Sequence, residues 1–193
     1  ANLGSSRNQK LQLVYMLVTS KFTLQLSPYY SFTNNGIGRI LYEQNRKDVS
    51  TYQNVLKSKD FGISSYTEWT PFTGTSFTLN ASMRYARITL PTPYLKNSGC
   101  GGGIYFNWEQ KIPWELTLTT SIGGEYGNRI YDPYAIEGHW FYYDFTLTRR
   151  FFKDKLTVSL SAESPFIKER SSTYRIVRGD YTGYERSVMK PKC

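Results

Sequence analysis

The sequence has no apolar run long enough to cross a membrane as a helix. Its longest apolar stretch, Leu13 to Val18, falls far short of the ~20 residues that a spanning helix needs. That leaves untouched a protein that crosses with strands, because a barrel strand shows lipid only every second residue. Cysteine is scarce: Cys100, inside SGCGGG, and Cys193, the last residue, cannot build a disulfide framework and are expected to be free thiols or incidental. Histidine is scarcer still. His139 is the single one, which removes a histidine-cluster metal site and any relay through a second histidine. Acidic residues number 15 against 24 basic ones, a net charge of +9. The basic residues crowd the C-terminal segment at Lys168, Arg170, Arg175, Arg178, Arg186, Lys190 and Lys192. A solvated loop explains them, and anionic lipid headgroups or an anionic ligand are the functional alternatives. No recognition helix, zinc spacing or RNP-like pattern accompanies the charge, so a nucleic-acid partner is not expected. The opening segment ANLGSSRNQK lacks an apolar signal core, so either processing has removed one or the chain starts inside a longer protein.

What the chain does have is alternation. Leu156, Val158, Leu160 and Ala162 are apolar, while Thr157, Ser159, Ser161 and Glu163 fill the gaps. Such a strand has one face in an apolar medium and one in water. Aromatic residues make up 17% of the chain, with 17 Tyr and 4 Trp, a composition suited to membrane interfaces and to sugar-binding surfaces. The 193 residues suffice for one domain.

Read along its length, the chain predicts strands at about 9–19, 22–33, 53–70, 76–89, 104–110, 114–124, 139–149 and 155–163. In the second, Phe22, Leu24, Leu26, Tyr30 and Phe32 oppose Thr23, Gln25, Ser27, Tyr29, Ser31 and Thr33, with Pro28 expected to interrupt the ladder. Phe77, Leu79, Ala81, Met83 and Tyr85 stand against Thr78, Asn80, Ser82 and Arg84 in the fourth. Short turns (Ser20-Lys21, PFTGT, QKIP, RRFFKDK) alternate with long polar connections at 34–51, 90–103, 127–138 and 164–193. The long connections open on turn formers such as NNGIG, and a strand extension is possible near Tyr174 to Val177. This is an all-β, antiparallel, up-and-down pattern: about eight strands in four hairpins, with short turns at one end and long loops at the other. It points to a segment of a transmembrane β-barrel. Trp69, Trp108 and Trp114 lie beside short turns, as do Phe72, Phe151 and Phe152, which suggests an interfacial girdle; Trp140 and several tyrosines are candidates for a second belt.

Sites for chemistry are few. Glu109, Glu115, Asp144 and Glu163 are expected to project to the polar face on adjacent strands, where basic partners such as Arg84 would neutralise them. A Ser-His-Asp set using His139 with Asp144 or Asp132 is arithmetically possible, but no strained nucleophile turn accompanies it. GCGGG lacks the Lys-Ser/Thr of a phosphate loop, and NAS at Asn80 falls in a strand. The expectation is no enzyme, with no catalytic, cofactor or metal residue and no ligand-binding residue assigned.

Several stretches carry a family likeness. LSPYYSFTNNGIGRI (26–40), STYQNVLKSKDFGISSYTEW (50–69), PWELTLTTSIGGEYGN (113–128) and FFKDKLTVSLSAESPF (151–166) resemble the C-terminal barrel region of TonB-dependent-receptor-like outer-membrane proteins from Bacteroidetes, in the outer membrane protein beta-barrel family. Thr51-Tyr52-Gln53-Asn54 and Pro165-Phe166 fit its spacing. The resemblance implies a large barrel of about 22 strands holding an N-terminal plug, and ligand import driven through TonB. The partners it implies are outer-membrane lipid, the remaining barrel and plug, and a surface lipoprotein. The chain departs from that plan: it has no plug, no TonB-contacting motif, and MKPKC where an aromatic terminal strand is usual. A single partial domain, the last third of a wider barrel lacking its closing strand, is the resulting expectation. A soluble carbohydrate-binding β-sandwich and a small closed barrel, with or without an active site at its loop rim, are the alternatives.

Overall fold

The structure, a computed structural model, describes residues 3–44, 47–91, 94–153, 155–167, 170–178 and 181–189. Among the described residues thirteen strands are formed and no helix appears. They are β1 (Arg7–Gln12), β2 (Tyr15–Val18), β3 (Phe22–Gln44), β4 (Lys47–Trp69), β5 (Thr75–Pro91), β6 (Tyr94–Ile112) and β7 (Leu116–Gly127), then β8 (Arg129–Asp132), β9 (Ala135–Glu137), β10 (Trp140–Phe151), β11 (Leu156–Glu163), β12 (Arg170–Arg178) and β13 (Tyr181–Met189). The main sheet runs β1-β3-β4-β5-β6-β7-β10-β11, with β2 also on β3; every pairing is antiparallel. Since β1 and β2 share one flank of β3, this nine-stranded sheet is eight strands across, and with the second sheet the strands exceed the eight expected from the alternation.

Pro28 explains the split first strand. Leu13 N–H donates to the Pro28 carbonyl at 3.0 Å. Proline has no N–H to return the second bond of that antiparallel pair, and the ladder lapses at Leu13–Val14 before resuming at Tyr15 opposite Leu26.

Register brings the apolar faces together. One cross-strand row reads Phe22, Trp69, Phe77, Trp108, Thr120, Phe145, Ala162; the next reads Leu17, Leu24, Thr67, Leu79, Phe106, Ile122, Tyr143. Higher up lies Leu11, Tyr30, Phe61, Tyr85. Most of these side chains are exposed or half-exposed, Phe61 at 57% and Trp69 at 48%, while Thr120 is buried. From Phe22 to Tyr30 the strand advances about eight residues at ~3.3 Å each, which at a tilt of ~40° spans ~20 Å, close to the ~25 Å apolar height of a membrane barrel. Two aromatic rows bound it. At the short-turn end Trp69 stacks on Phe77 at 5.5 Å and Phe77 on Trp108 at 6.3 Å; at the other end Phe61 meets Tyr85 at 5.3 Å.

The long connections are not loops. β3 and β4 are 23 residues each, ~75 Å of strand and well beyond what a crossing needs. The segments read as loops at 34–51 and 90–103 continue the hairpins instead, since backbone groups that leave the band still need partners. NNGIG makes a bulge, not a turn: Asn35 adopts φ 56°, and register shifts fall between Thr33 and Gly36 and between Gly36 and Ile37. The Asn54 side chain secures the bulge by donating to Asn35 O at 3.1 Å and Gly4 O at 3.0 Å. The glycine run Gly101 to Gly103 lies inside β6. The expected start of a strand at 114 moves to Leu116, because Trp114 and Glu115 turn at φ 69° and 57°.

Described residues within the segments read as loops at 127–138 and 164–193 form a second sheet, β13-β12-β9-β8. The extension expected near Tyr174 to Val177 falls within β12. Lys168, Lys190, Lys192 and Cys193 lie outside the described residues. Among the described residues β1 and β2 pair with β3 alone and β11 with β10 alone, so no closed barrel is formed. The small closed barrel is thereby corrected. A sandwich fares no better, since the apolar face of the sheet is exposed and not packed on another sheet.

Candidate functional site on the polar face

The buried core sits on the polar side of the sheet, above the apolar band. Ala86 and Ile88 extend the face that carries Arg84, and pack against Ile130 and Ile136. Leu90 and Leu95 pack with Tyr134 in a second cluster. Segment 129–137, carrying β8 and β9, therefore folds inward over the sheet. The chain turns into it at Gly127, with φ 83°. Glycine also makes the close approach possible. A Cβ at Gly99 would lie 2.3 Å from Asn128 O, and one at Gly101 would lie 2.6 Å from Arg129 Cγ.

Polar bonds hold the segment down. Asn128 N–H donates to Cys100 O at 2.9 Å, and Asn97 Nδ2 donates to Pro133 O at 3.3 Å. The Tyr134 hydroxyl accepts from Leu41 N–H at 3.0 Å. Asp132 caps the turn by accepting from Tyr134 N–H at 2.8 Å, with Arg39 3.9 Å away. On the far side Gly138 N–H donates to Thr173 O at 2.8 Å.

Beneath the segment lies a charged and aromatic cluster. Glu125 accepts from the Trp140 indole at 2.6 Å, from the Tyr105 hydroxyl at 3.1 Å and from Arg129. Arg129 also donates to Gly138 O at 3.1 Å and pairs with Glu137 at 3.3 Å. Trp140 stacks on Tyr142 at 5.5 Å, and Tyr105 stands 6.3 Å from Trp140. A cavity of about 130 Å³ opens beside them, lined by Tyr29, Ser64, Ser82, Arg84, Glu125 and Arg129 among others. Arg84 bonds Asp60 at 2.6 Å. Charge pairing thus takes place within the wall itself.

The residues singled out from the sequence scatter. Glu109 does lie on the polar face, opposite Ser76 and Thr119. Asp144 and Glu163 do too, directly across from each other on β10 and β11. Glu115 sits in the turn and not on a strand. Arg84 is held by Asp60, so neutralisation of those carboxylates by Arg84 is not what the fold uses. His139 is exposed, and Asp132 is committed to Tyr134 and Arg39. Trp140 is no part of a lipid-side belt, because it shares the polar face with Tyr142. Glu125, Arg129, Asp60 and Tyr105 were not singled out. Parity alone would have placed Glu125, Asp60 and Tyr105 on the polar side, whereas Arg129 fell in a segment read as a loop and reaches Glu125 only through the folded-in segment.

A family model described as Outer membrane protein beta-barrel family matches residues 1–191. The chain belongs to that family. No curated protein and no solved structure matches it. An outer-membrane location follows from the family, and it assigns the two faces of the sheet. The apolar band between the aromatic rows meets lipid. The polar face, with segment 129–137 folded over it, belongs to the interior of this outer-membrane protein. Outer-membrane barrels as a class carry short periplasmic turns and longer extracellular connections.

Proposed function

We propose that this chain is part of the wall of an outer-membrane receptor or transporter that takes up a ligand across the outer membrane, with TonB supplying the energy. The observation that carries the reading is the inward-folded segment 129–137, seated over an aromatic and carboxylate cluster on the polar face. A wall serving only as an anchor has no need of an inward segment. A pathway does, because narrowing it and presenting contacts confer selectivity. The wall is wider than the eight strands described: in lipid the open edges at β1, β2 and β11 require further strands to satisfy their backbone groups. A plug domain and a surface lipoprotein are the partners that this reading calls for. The role is non-enzymatic, so substitution of Glu109, Asp144 and His139 together abolishes no turnover.

The test is conductance of the protein in a planar bilayer. Replacing 129–137 with a short flexible linker is expected to raise single-channel conductance, and unchanged conductance overturns the pathway. Energy coupling is tested apart from this, by ligand accumulation in cells with and without TonB. Equal accumulation removes TonB from the account while leaving the pathway standing.

A further inference from the structure

The outer face holds a second feature, immediately above the upper aromatic row. Cross-strand register stacks three rows there. The lowest is Leu11, Tyr30, Phe61, Tyr85, at the edge of the apolar band. Next comes Gln9, Phe32, Lys59, Arg87, Ser98. Above it Lys57, Thr89 and Lys96 stand in line, with Arg7 opposite Asn34 on the β1–β3 flank. Arg7, Lys57, Lys59, Arg87 and Lys96 are all exposed. An open recess of about 630 Å³ runs among Tyr30, Phe32, Lys57, Lys59, Arg87 and Lys96, and among the described residues no carboxylate lines it. Asp60, the acid adjacent to Lys59, points to the opposite face, where Arg84 holds it at 2.6 Å.

Position decides the occupant. Two rows of ~6.7 Å each along a strand tilted by ~40° rise ~10 Å above the aromatic row, into the headgroup layer of the membrane. A same-sign cluster at that depth is repelled by its own charge unless an anion from the membrane neutralises it. The flanking Tyr30, Phe32 and Tyr94 offer apolar surface to the upper ends of acyl chains. We propose that this patch is a binding site for the phosphate groups of a negatively charged lipid headgroup in the outer leaflet. It rests on the outer-membrane placement and is independent of the transport reading.

The test uses the complete outer-membrane protein that contains this chain, folded in neutral detergent, with native mass spectrometry as the readout. Lipid A is expected to stay bound, and its dephosphorylated form to be lost. The K57Q/K59Q/R87Q/K96Q variant is expected to weaken lipid A binding by about fivefold per cation removed, while K57R/K59R/K96R keeps it. A control variant, K21Q/K111Q/K153Q, removes positive charge at the short-turn end and leaves binding unchanged. Equal retention of phosphorylated and dephosphorylated lipid overturns the proposal, as does equal loss in the control. Complete displacement by inorganic phosphate overturns the lipid as the ligand. Detergent-resistant folding of each variant, read by circular dichroism, separates lost binding from lost structure.

Discussion

The aliphatic stem of Arg129 lies over Gly101, so close that a Cβ on the glycine would come within 2.6 Å of Arg129 Cγ. This contact couples a strand of the main sheet to the segment that folds over it. Gly101→Val therefore lifts segment 129–137 off the polar face without touching its own sequence. Limited proteolysis checks this: cleavage within 129–137 is expected to become much faster, while the hairpins stay protected.

The Tyr134 hydroxyl satisfies the backbone N–H of Leu41, and Tyr134 is only 3% exposed. Tyr134→Phe keeps the packing on Leu90 and Leu95 but leaves that donor without its partner. The expected cost is about 1–3 kcal/mol. Hydrogen exchange at the Leu41 amide is the direct measure, and it should accelerate more than exchange in the apolar band.

The two faces of β5 respond oppositely to a charge. Leu79 lies in the lipid-facing row between Thr67 and Phe106, one row inside the short-turn girdle. Leu79→Arg should destabilise folding into a bilayer by about 1–3 kcal/mol. Thr78→Arg, one residue away on the polar face, should cost far less. Equilibrium folding into vesicles distinguishes them, and equal effects would contradict the assignment of faces.

Asp60 neutralises Arg84 on the polar face. Asp60→Asn leaves Arg84 cationic and makes the interior more attractive to anions. In a planar bilayer under a salt gradient the reversal potential should shift toward anion selectivity. Arg84→Gln in the same protein should shift it the other way.

Much of this was legible in the sequence. Alternation from Phe22 to Thr33 and from Phe77 to Tyr85 assigns each residue to a face, because a pleated strand leaves it no choice. Pro28 announced the break in the first strand by lacking a donor. Parity also spoke for Trp140, which alternates with Tyr142 and Asp144 on the polar side; the expectation of a second belt set that signal aside. The glycines at 99 and 101 read as a flexible loop, because a missing side chain looks the same whether it frees the chain or admits a neighbour.

What the sequence determined by itself is therefore local: the face that residues of the alternating runs take, the antiparallel hairpins, and the short turns that join them. A period of two follows from backbone geometry within a few residues. Only the tertiary structure decided that the polar connections continue as strands, that 129–137 folds inward, and that Glu125 gathers Trp140, Tyr105 and Arg129 around it. Those outcomes depend on register between segments far apart in the chain and on space left open at two glycines. Neither leaves a periodic mark on the sequence.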